Sequence, residues 1–202
     1  MRFKFPQHQQ QFVIFHGFMR QVLARYLGLE LHEVVFKKGD KGKPYIITPD
    51  TDKVALQFNL SHTQNVALLA LSSDLELGVD IEHTARKTDW QGISRRFFTN
   101  TEQAALFSLV EEEHQKEAFY DLWTRKEAYM KVIGSGLALA PTQFSLTVLP
   151  QRPALISHDS EKFRPDWSIQ FQTLQLPENL DGFCATVAAS GAIKSCSLYE
   201  FN

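Results

Sequence analysis

Only two cysteines occur in 202 residues, Cys184 and Cys196, too few for a disulfide framework and at no metal-ligand spacing. Both lie in apolar stretches, so the expectation is two reduced core thiols in a cytoplasmic protein. No apolar run reaches the roughly 18 residues of a membrane span, which argues against a membrane partner. The start, MRFKFPQHQQQFVIFHGF, is polar before it is apolar and has no small-residue cleavage site, so no secretory signal is expected. An excess of positive charge is also missing. The formal net charge is -2, whereas nucleic-acid-binding domains are strongly basic. A nucleic-acid partner is therefore not expected, and an anionic ligand must be held by local Lys and Arg clusters. No low-complexity tract or long linker interrupts the chain. What remains, 44% hydrophobic and 22% charged residues, is the composition of a soluble globular protein. The length allows one large domain or two small halves with a shared core.

Hydrophobic spacing predicts the elements. Phe12, Phe15, Met19, Val22, Leu23 and Tyr26 recur at three- and four-residue steps, a helix over 9–27 closed by Gly28. KKGDKGKPYI (37–46) reads as a basic turn entering a short strand. LQFNLSH (56–62), VALLALS (66–72) and LELGVDIEH (75–83) read as strands. Helical sequence starts near Gly92, with Asn100 or Thr101 as a cap for TEQAALFSL. The longest helical signal covers 111–134 and stops at Gly134 and Gly136, with Pro141 beyond. Strands are expected at 144–149, 167–174, 182–189 and 196–201, and an irregular loop at 151–165. A helix with basic residues, a Gly stop and then strands occurs twice. This predicts an α+β fold of two similar halves, 1–75 and 76–202, with a cleft between them.

Four short motifs carry chemistry. In GVDIEH, strand alternation puts Asp80 and Glu82 on one face and Val79 and Ile81 on the other. That pair is either an ordinary polar face or a site for a hard cation such as Mg²⁺, which takes one or two carboxylates with waters and phosphates. In WTRKEAYMK, helical spacing aligns Trp123, Glu127 and Lys131, with Lys126 one residue round. It is either a surface ion pair beside a packed Trp, or a third carboxylate flanked by lysines for phosphate. In NLSH, Ser61 and His62 end a strand, as satisfied turn residues or as phosphate donors. In GKPY, Gly42 allows close backbone approach, Lys43 brings charge and Pro44 stiffens the turn.

Taken together and in this order, GKP, NLSH, GVDIE and WxxKEAxxK resemble the 4′-phosphopantetheinyl transferases of the surfactin-synthetase-activating type, from about Phe12 to the last strand. The resemblance implies two similar α+β halves related by a pseudo-twofold axis, with the active site in the cleft. It implies coenzyme A as co-substrate and Mg²⁺, or Mn²⁺, as cofactor. The reaction it implies moves the phosphopantetheine arm to a serine of an apo carrier protein and releases adenosine 3′,5′-bisphosphate. Carried over by motif, Asp80, Glu82 and Glu127 are the metal carboxylates. Lys43, Ser61 and His62 contact the coenzyme's phosphates, with His62 near the 3′-phosphate. Lys126 and Lys131 contact the pyrophosphate, and Trp123 packs the helix and lines the pantetheine path. Asp80, Glu127 and Lys131 are the catalytic set, with Glu127 the base for the serine hydroxyl and Lys131 the partner of developing phosphate charge.

One region departs from the family pattern. Gln11 stands about where an Arg is common, and Arg2, Lys4 or Arg20 are the candidates to supply that charge toward the coenzyme. The carrier is expected to be acidic, with Arg86, Lys87, Arg95 and Arg96 beside Phe97 and Phe98 as its docking patch. The alternative for the two Phe is the core. A monomer is expected, since the cleft forms within one chain. Two other functions use the same residues: a non-catalytic module binding coenzyme A or a carrier, and a metal-dependent phosphodiesterase.

Overall fold

The computed structural model describes residues 6–39, 42–48, 51–54, 56–134, 138–158 and 168–201. Arg2, Lys4 and Gly136 lie outside them. The fold is α+β: among the described residues there are four α-helices with small antiparallel sheets.

Helix α1 (Pro6–Leu27) buries Phe15, Met19 and Leu23, one residue per turn, with Met19 and Leu23 in one cluster with Val34, Ile46 and Phe58 and Phe15 beside His62. It stops at Gly28, whose φ of +65° suits glycine. Strands β1 (Phe36–Lys38), β2 (Pro44–Thr48) and β3 (Thr51–Val54) form one sheet. Strands β4 (Gln57–Thr63) and β5 (Val66–Ser72) form a hairpin turning at Gln64 and Asn65. Strand β6 (Leu77–His83) pairs with β10 (Phe183–Ala189), and β10 with β9 (Gln170–Thr173). The other edge of β6 meets β4 through side chains rather than a backbone ladder. Asn59 Oδ1 accepts from the Val79 N–H at 2.9 Å.

Helices α2 (Trp90–Phe97), α3 (Asn100–Phe107) and α4 (Glu112–Ile133) build the larger core with Phe98, Phe119, Leu122, Phe144 and Leu146. Strand β7 (Phe144–Leu146) pairs with β8 (Leu155–His158). The cap of α3 is Thr99 rather than Asn100 or Thr101. Its hydroxyl accepts from the Glu102 N–H while the Glu102 carboxylate accepts from the Thr99 N–H, a closed capping box. Helix α4 ends at Gly134, whose φ is +63°.

Three expectations are corrected. Residues 196–201 form no strand. A single bond from the Ile193 N–H to Gln170 Oε1, 3.1 Å, stands beside β9 in place of a ladder. Part of the expected 151–165 loop is a strand, β8, too short for its alternation to be read from sequence. Cys184 is half-buried with its thiol pushed up to about 12 by burial, but Cys196 is exposed rather than in the core. Among the described residues no helix is long and apolar enough to cross a membrane.

Candidate active site

The site begins with a glycine. A Cβ on Gly78 would stand 2.2 Å from the Ala128 carbonyl oxygen and 2.7 Å from Lys131 Cβ. Only a residue without a side chain lets α4 settle this closely on β6. That approach brings Glu127 and Lys131 of the helix down beside Asp80 and Glu82 of the strand.

Asp80 is the centre of the arrangement. It is buried, and its Oδ1 accepts from Ser61 Oγ at 2.8 Å and from Lys131 Nζ at 2.7 Å. Lys131 also donates to the Val79 carbonyl at 2.8 Å. The second oxygen, Asp80 Oδ2, is buried with no hydrogen-bond partner. A buried carboxylate oxygen left unpaired is costly, and it marks a place where a donor or a cation belongs.

The carboxylates act on one another. Burial, first, holds Asp80 above the usual carboxylate range, against the opposing pull of Lys131. Burial and then the Asp80 charge raise Glu82, while a hydrogen bond from the Trp123 indole lowers it. Glu127 is pushed up to about 7 by burial, then by Asp80 and Glu82, with Lys131 opposing. Three acidic groups thus crowd around one lysine. Their hard oxygen donors and the unpaired Oδ2 suit a hard divalent cation. Among the described residues, no three His, Cys, Asp or Glu side chains converge closely enough to grip an ion as they stand.

The remaining expected residues are placed differently from one another. His62 stands on β4 with its ring 4.9 Å from Phe15, held below its ordinary value by burial and by Lys131. Ser61 is turned inward onto Asp80 rather than outward. Lys43 Nζ donates to Glu76 Oε2 at 2.9 Å and to the Leu77 carbonyl at 3.0 Å, where β6 begins. Arg20 donates to the Leu31 and Val34 carbonyls and stacks over Phe36. Through these contacts it organises the loop after α1. Trp123 packs against Phe97, Phe98 and Phe119 as expected of a helix-fixing residue, and its indole also holds Glu82.

Lys126 is a correction. It is fully buried on another face of α4, donates to both Glu102 oxygens at 2.7 and 2.8 Å and to the Phe144 carbonyl at 2.8 Å, and cannot reach a pyrophosphate from there. The adjacent positions 126 and 127 point about 100° apart on a helix, so one enters the core when the other faces the strand. Glu102 itself escaped the sequence reading. The T-N-T-E capping-box pattern at 99–102 was the signal that would have found it. Asn59 and Glu76 also escaped: Asn59 opens the NLSH motif but carries no role in that reading, and Glu76 stands just ahead of the GVDIEH motif.

Comparison with known proteins fits this geometry. The family model described as the 4′-phosphopantetheinyl transferase superfamily matches residues 76–188, and one described as the N-terminal part of a 4′-phosphopantetheinyl transferase matches 1–74. The chain is 37% identical to the 4′-phosphopantetheinyl transferase HetI of Nostoc sp. over 191 residues, 94% of this chain and 75% of that protein. The chain belongs to the 4′-phosphopantetheinyl transferase superfamily. It is also 35% identical to the transferase Sfp of Bacillus subtilis over 128 residues, 63% of this chain and 54% of that one. The human L-aminoadipate-semialdehyde dehydrogenase-phosphopantetheinyl transferase is 31% identical over 143 residues, 65% of this chain and 45% of that one. The chain thus spans three-quarters of HetI and about half of the other two. In this superfamily member, Asp80, Glu82, Glu127 and Lys131 all fall in the superfamily match, while Lys43, Ser61 and His62 fall in the N-terminal one.

Proposed function

We propose that this chain transfers the 4′-phosphopantetheine arm of coenzyme A to a serine of an apo carrier protein. The observation that carries the reading is the unpaired, buried Asp80 Oδ2 among Glu82, Glu127 and Lys131. In this proposal Asp80, Glu82 and Glu127 hold Mg²⁺, with Mn²⁺ as a substitute. When bound, the ion supplies charge stabilisation to the pyrophosphate oxygens.

The residues then divide the work. Glu127 is the base for the proton of the carrier serine; its raised value, about 7, belongs to the metal-free site and would fall when the cation binds, which keeps the carboxylate ionised at neutral pH. The serine oxygen bonds to the β-phosphorus, and the bond from that phosphorus to the bridging oxygen breaks. The leaving group is adenosine 3′,5′-bisphosphate, and Lys131 offsets the charge that grows on it. Ser61 fixes the Asp80 carboxylate, Trp123 fixes Glu82, and His62 meets coenzyme phosphate at the edge of the site. Lys43, which donates to Glu76 and to the Leu77 carbonyl in the free protein, meets a coenzyme phosphate in the same proposal.

The division into halves 1–75 and 76–202, with the cleft at the β4–β6 seam, belongs to the same proposal, as does a monomer. So does an acidic carrier. Arg95 and Arg96 on α2 are exposed, with guanidinium groups 5.9 Å from the Phe107 ring and 5.1 Å from the Phe97 ring. Exposed Val110 lies beyond the end of α3, while Phe98 is core. Basic and apolar groups side by side suit an acidic helix of a carrier.

The test is incubation with coenzyme A, Mg²⁺ and several apo carriers, followed by intact mass. One added phosphopantetheine on a carrier is expected. Coenzyme A binding with no mass gain on any carrier would favour the binding-module reading instead.

A further inference from the structure

Strands β4 and β6 meet without a backbone ladder, and side chains close the gap between them. Asn59 and Ser61 alternate onto one face of β4, both are buried, and both reach β6. Asn59 Oδ1 accepts from the Val79 N–H at 2.9 Å, and Ser61 Oγ donates to Asp80 Oδ1 at 2.8 Å. The partner numbers rise together, so the two strands run in the same direction.

Val79 is the residue on which this seam turns. It is fully buried and stands opposite Val187 of β10. Alternate residues of an antiparallel ladder turn their N–H and C=O away from the partner strand. On Val79 both groups are taken by side chains, the N–H by Asn59 and the carbonyl by Lys131 Nζ at 2.8 Å. Lys131 Nζ also donates to Asp80 Oδ1 at 2.7 Å, the same oxygen that Ser61 holds. The contacts close a ring that runs from Asn59 through Val79, Lys131, Asp80 and Ser61 and returns along β4. Two of the three N–H donors of Lys131 are engaged in it, and the described residues take no other. The three protons of an ammonium are tetrahedrally disposed, so two fixed acceptors set the direction of the third.

We propose that Asn59 is a positioning residue for phosphoryl transfer: it fixes the Val79 backbone, whose carbonyl fixes Lys131, so that the remaining N–H of the lysine meets the phosphate that leaves. This rests on the transferase reading above. Asn59 touches no reacting atom and acts through Val79 and Lys131. Its amide oxygen does for the Val79 N–H what a neighbouring strand would do in a continuous sheet. Without that oxygen a buried N–H is left unpaired, and the backbone turns to find another acceptor. The Val79 carbonyl turns with it, and Lys131 loses one of the two acceptors that set its direction. Small displacements of a group that meets the transition state lower the rate of the chemical step more than they lower binding.

A double-mutant cycle on the full chain tests this, with transfer from coenzyme A to apo carriers at saturating Mg²⁺ read by intact mass. The four proteins are wild type, Asn59→Ala, Lys131→Met and the double variant. Asn59→Ala is expected to lose about tenfold in kcat, with KM for coenzyme A within about twofold of wild type. In the Lys131→Met background the same change should cost under about twofold, because the lysine through which Asn59 acts is gone. A residue that only supported the fold would cost the same in both backgrounds. Asn59→Asp has the same shape and keeps an acceptor oxygen in either protonation state. It should hold kcat within about threefold of wild type, and it carries the test if Asn59→Ala does not fold. Unchanged kcat in Asn59→Ala, equal losses in the two backgrounds, or a tenfold loss in Asn59→Asp overturns the positioning role while leaving the transferase reading intact. Failure of wild type to modify any carrier overturns the transferase reading, and the positioning role with it.

Discussion

Lys131 Nζ stands 2.7 Å from Asp80 Oδ1, while Oδ2 of the same carboxylate is buried and unpaired. One oxygen is neutralised and the other is left for a partner. Asp80→Asn keeps the shape but puts an amide where an anionic oxygen stood. Carrier modification by this variant is expected to fall at least about a hundredfold, the scale of losing a metal carboxylate or a transition-state charge contact. Thermal melting should show no gain from added Mg²⁺, whereas wild type should gain. Equal Mg²⁺ stabilisation of the two proteins would place the ion elsewhere.

Glu127 supplies a pH-dependent prediction. Its folded value is near 7 against an ordinary 4.5, so between these limits the folded state binds more protons than the unfolded chain. Stability of the metal-free protein should therefore fall as pH rises from about 4.5 to 7 and level off above. Glu127→Gln should remove that slope. It should match wild type near pH 4.5 and exceed it by on the order of 1–3 kcal/mol at pH 8 in chelator, allowing for the group's partial exposure. Urea unfolding at several pH values reads this directly, and a variant less stable than wild type at pH 8 would count against the crowded-carboxylate picture.

The Lys126–Glu102 pair is structural. Glu102 accepts from Lys126, from the Thr99 N–H and from the Leu146 N–H at 2.8 Å, and so joins the start of α3 to α4 and β7. Lys126→Met strands a buried charge and is expected to cost about 3–5 kcal/mol in denaturant unfolding. Adding Glu102→Gln removes the stranded charge and should recover part of the loss. At a temperature where the variant is folded, its KM for coenzyme A should equal that of wild type. A raised KM with unchanged stability would return Lys126 to the phosphate site.

Gly78→Ala tests the seating of α4. The new methyl would meet the Ala128 carbonyl at 2.2 Å, a backbone atom that cannot swing aside. The helix must lift, at an expected cost of about 1–3 kcal/mol, and carry Glu127 and Lys131 away from Asp80. Transfer activity should drop further than stability does, measured on the folded fraction.

Much of this was legible from the sequence because the informative spacings are local. Strand alternation put Asp80 and Glu82 together, and helical spacing aligned Trp123, Glu127 and Lys131. The long helix and its Gly134 stop were visible for the same reason. What could not be read depends on which face of an element turns inward. Lys126 carries a charge that sequence reasoning sends to solvent, yet α4 is packed on several sides and Glu102 awaits it in the core. Ser61 sits in a phosphate-type motif but is turned onto Asp80. The tail at 196–201 has strand-like residues, but whether a neighbour offers it a ladder is a tertiary matter.

The most direct test of the central claim, that three carboxylates and Lys131 form one metal-dependent transfer site, is the rate of adenosine 3′,5′-bisphosphate release against Mg²⁺ concentration, in wild type and in Glu82→Gln. Saturable Mg²⁺ dependence is expected in wild type, with no release in chelator, and in the variant a curve moved to higher Mg²⁺ with a lower plateau. Release that persists in chelator, or superimposable curves for the two proteins, would contradict it.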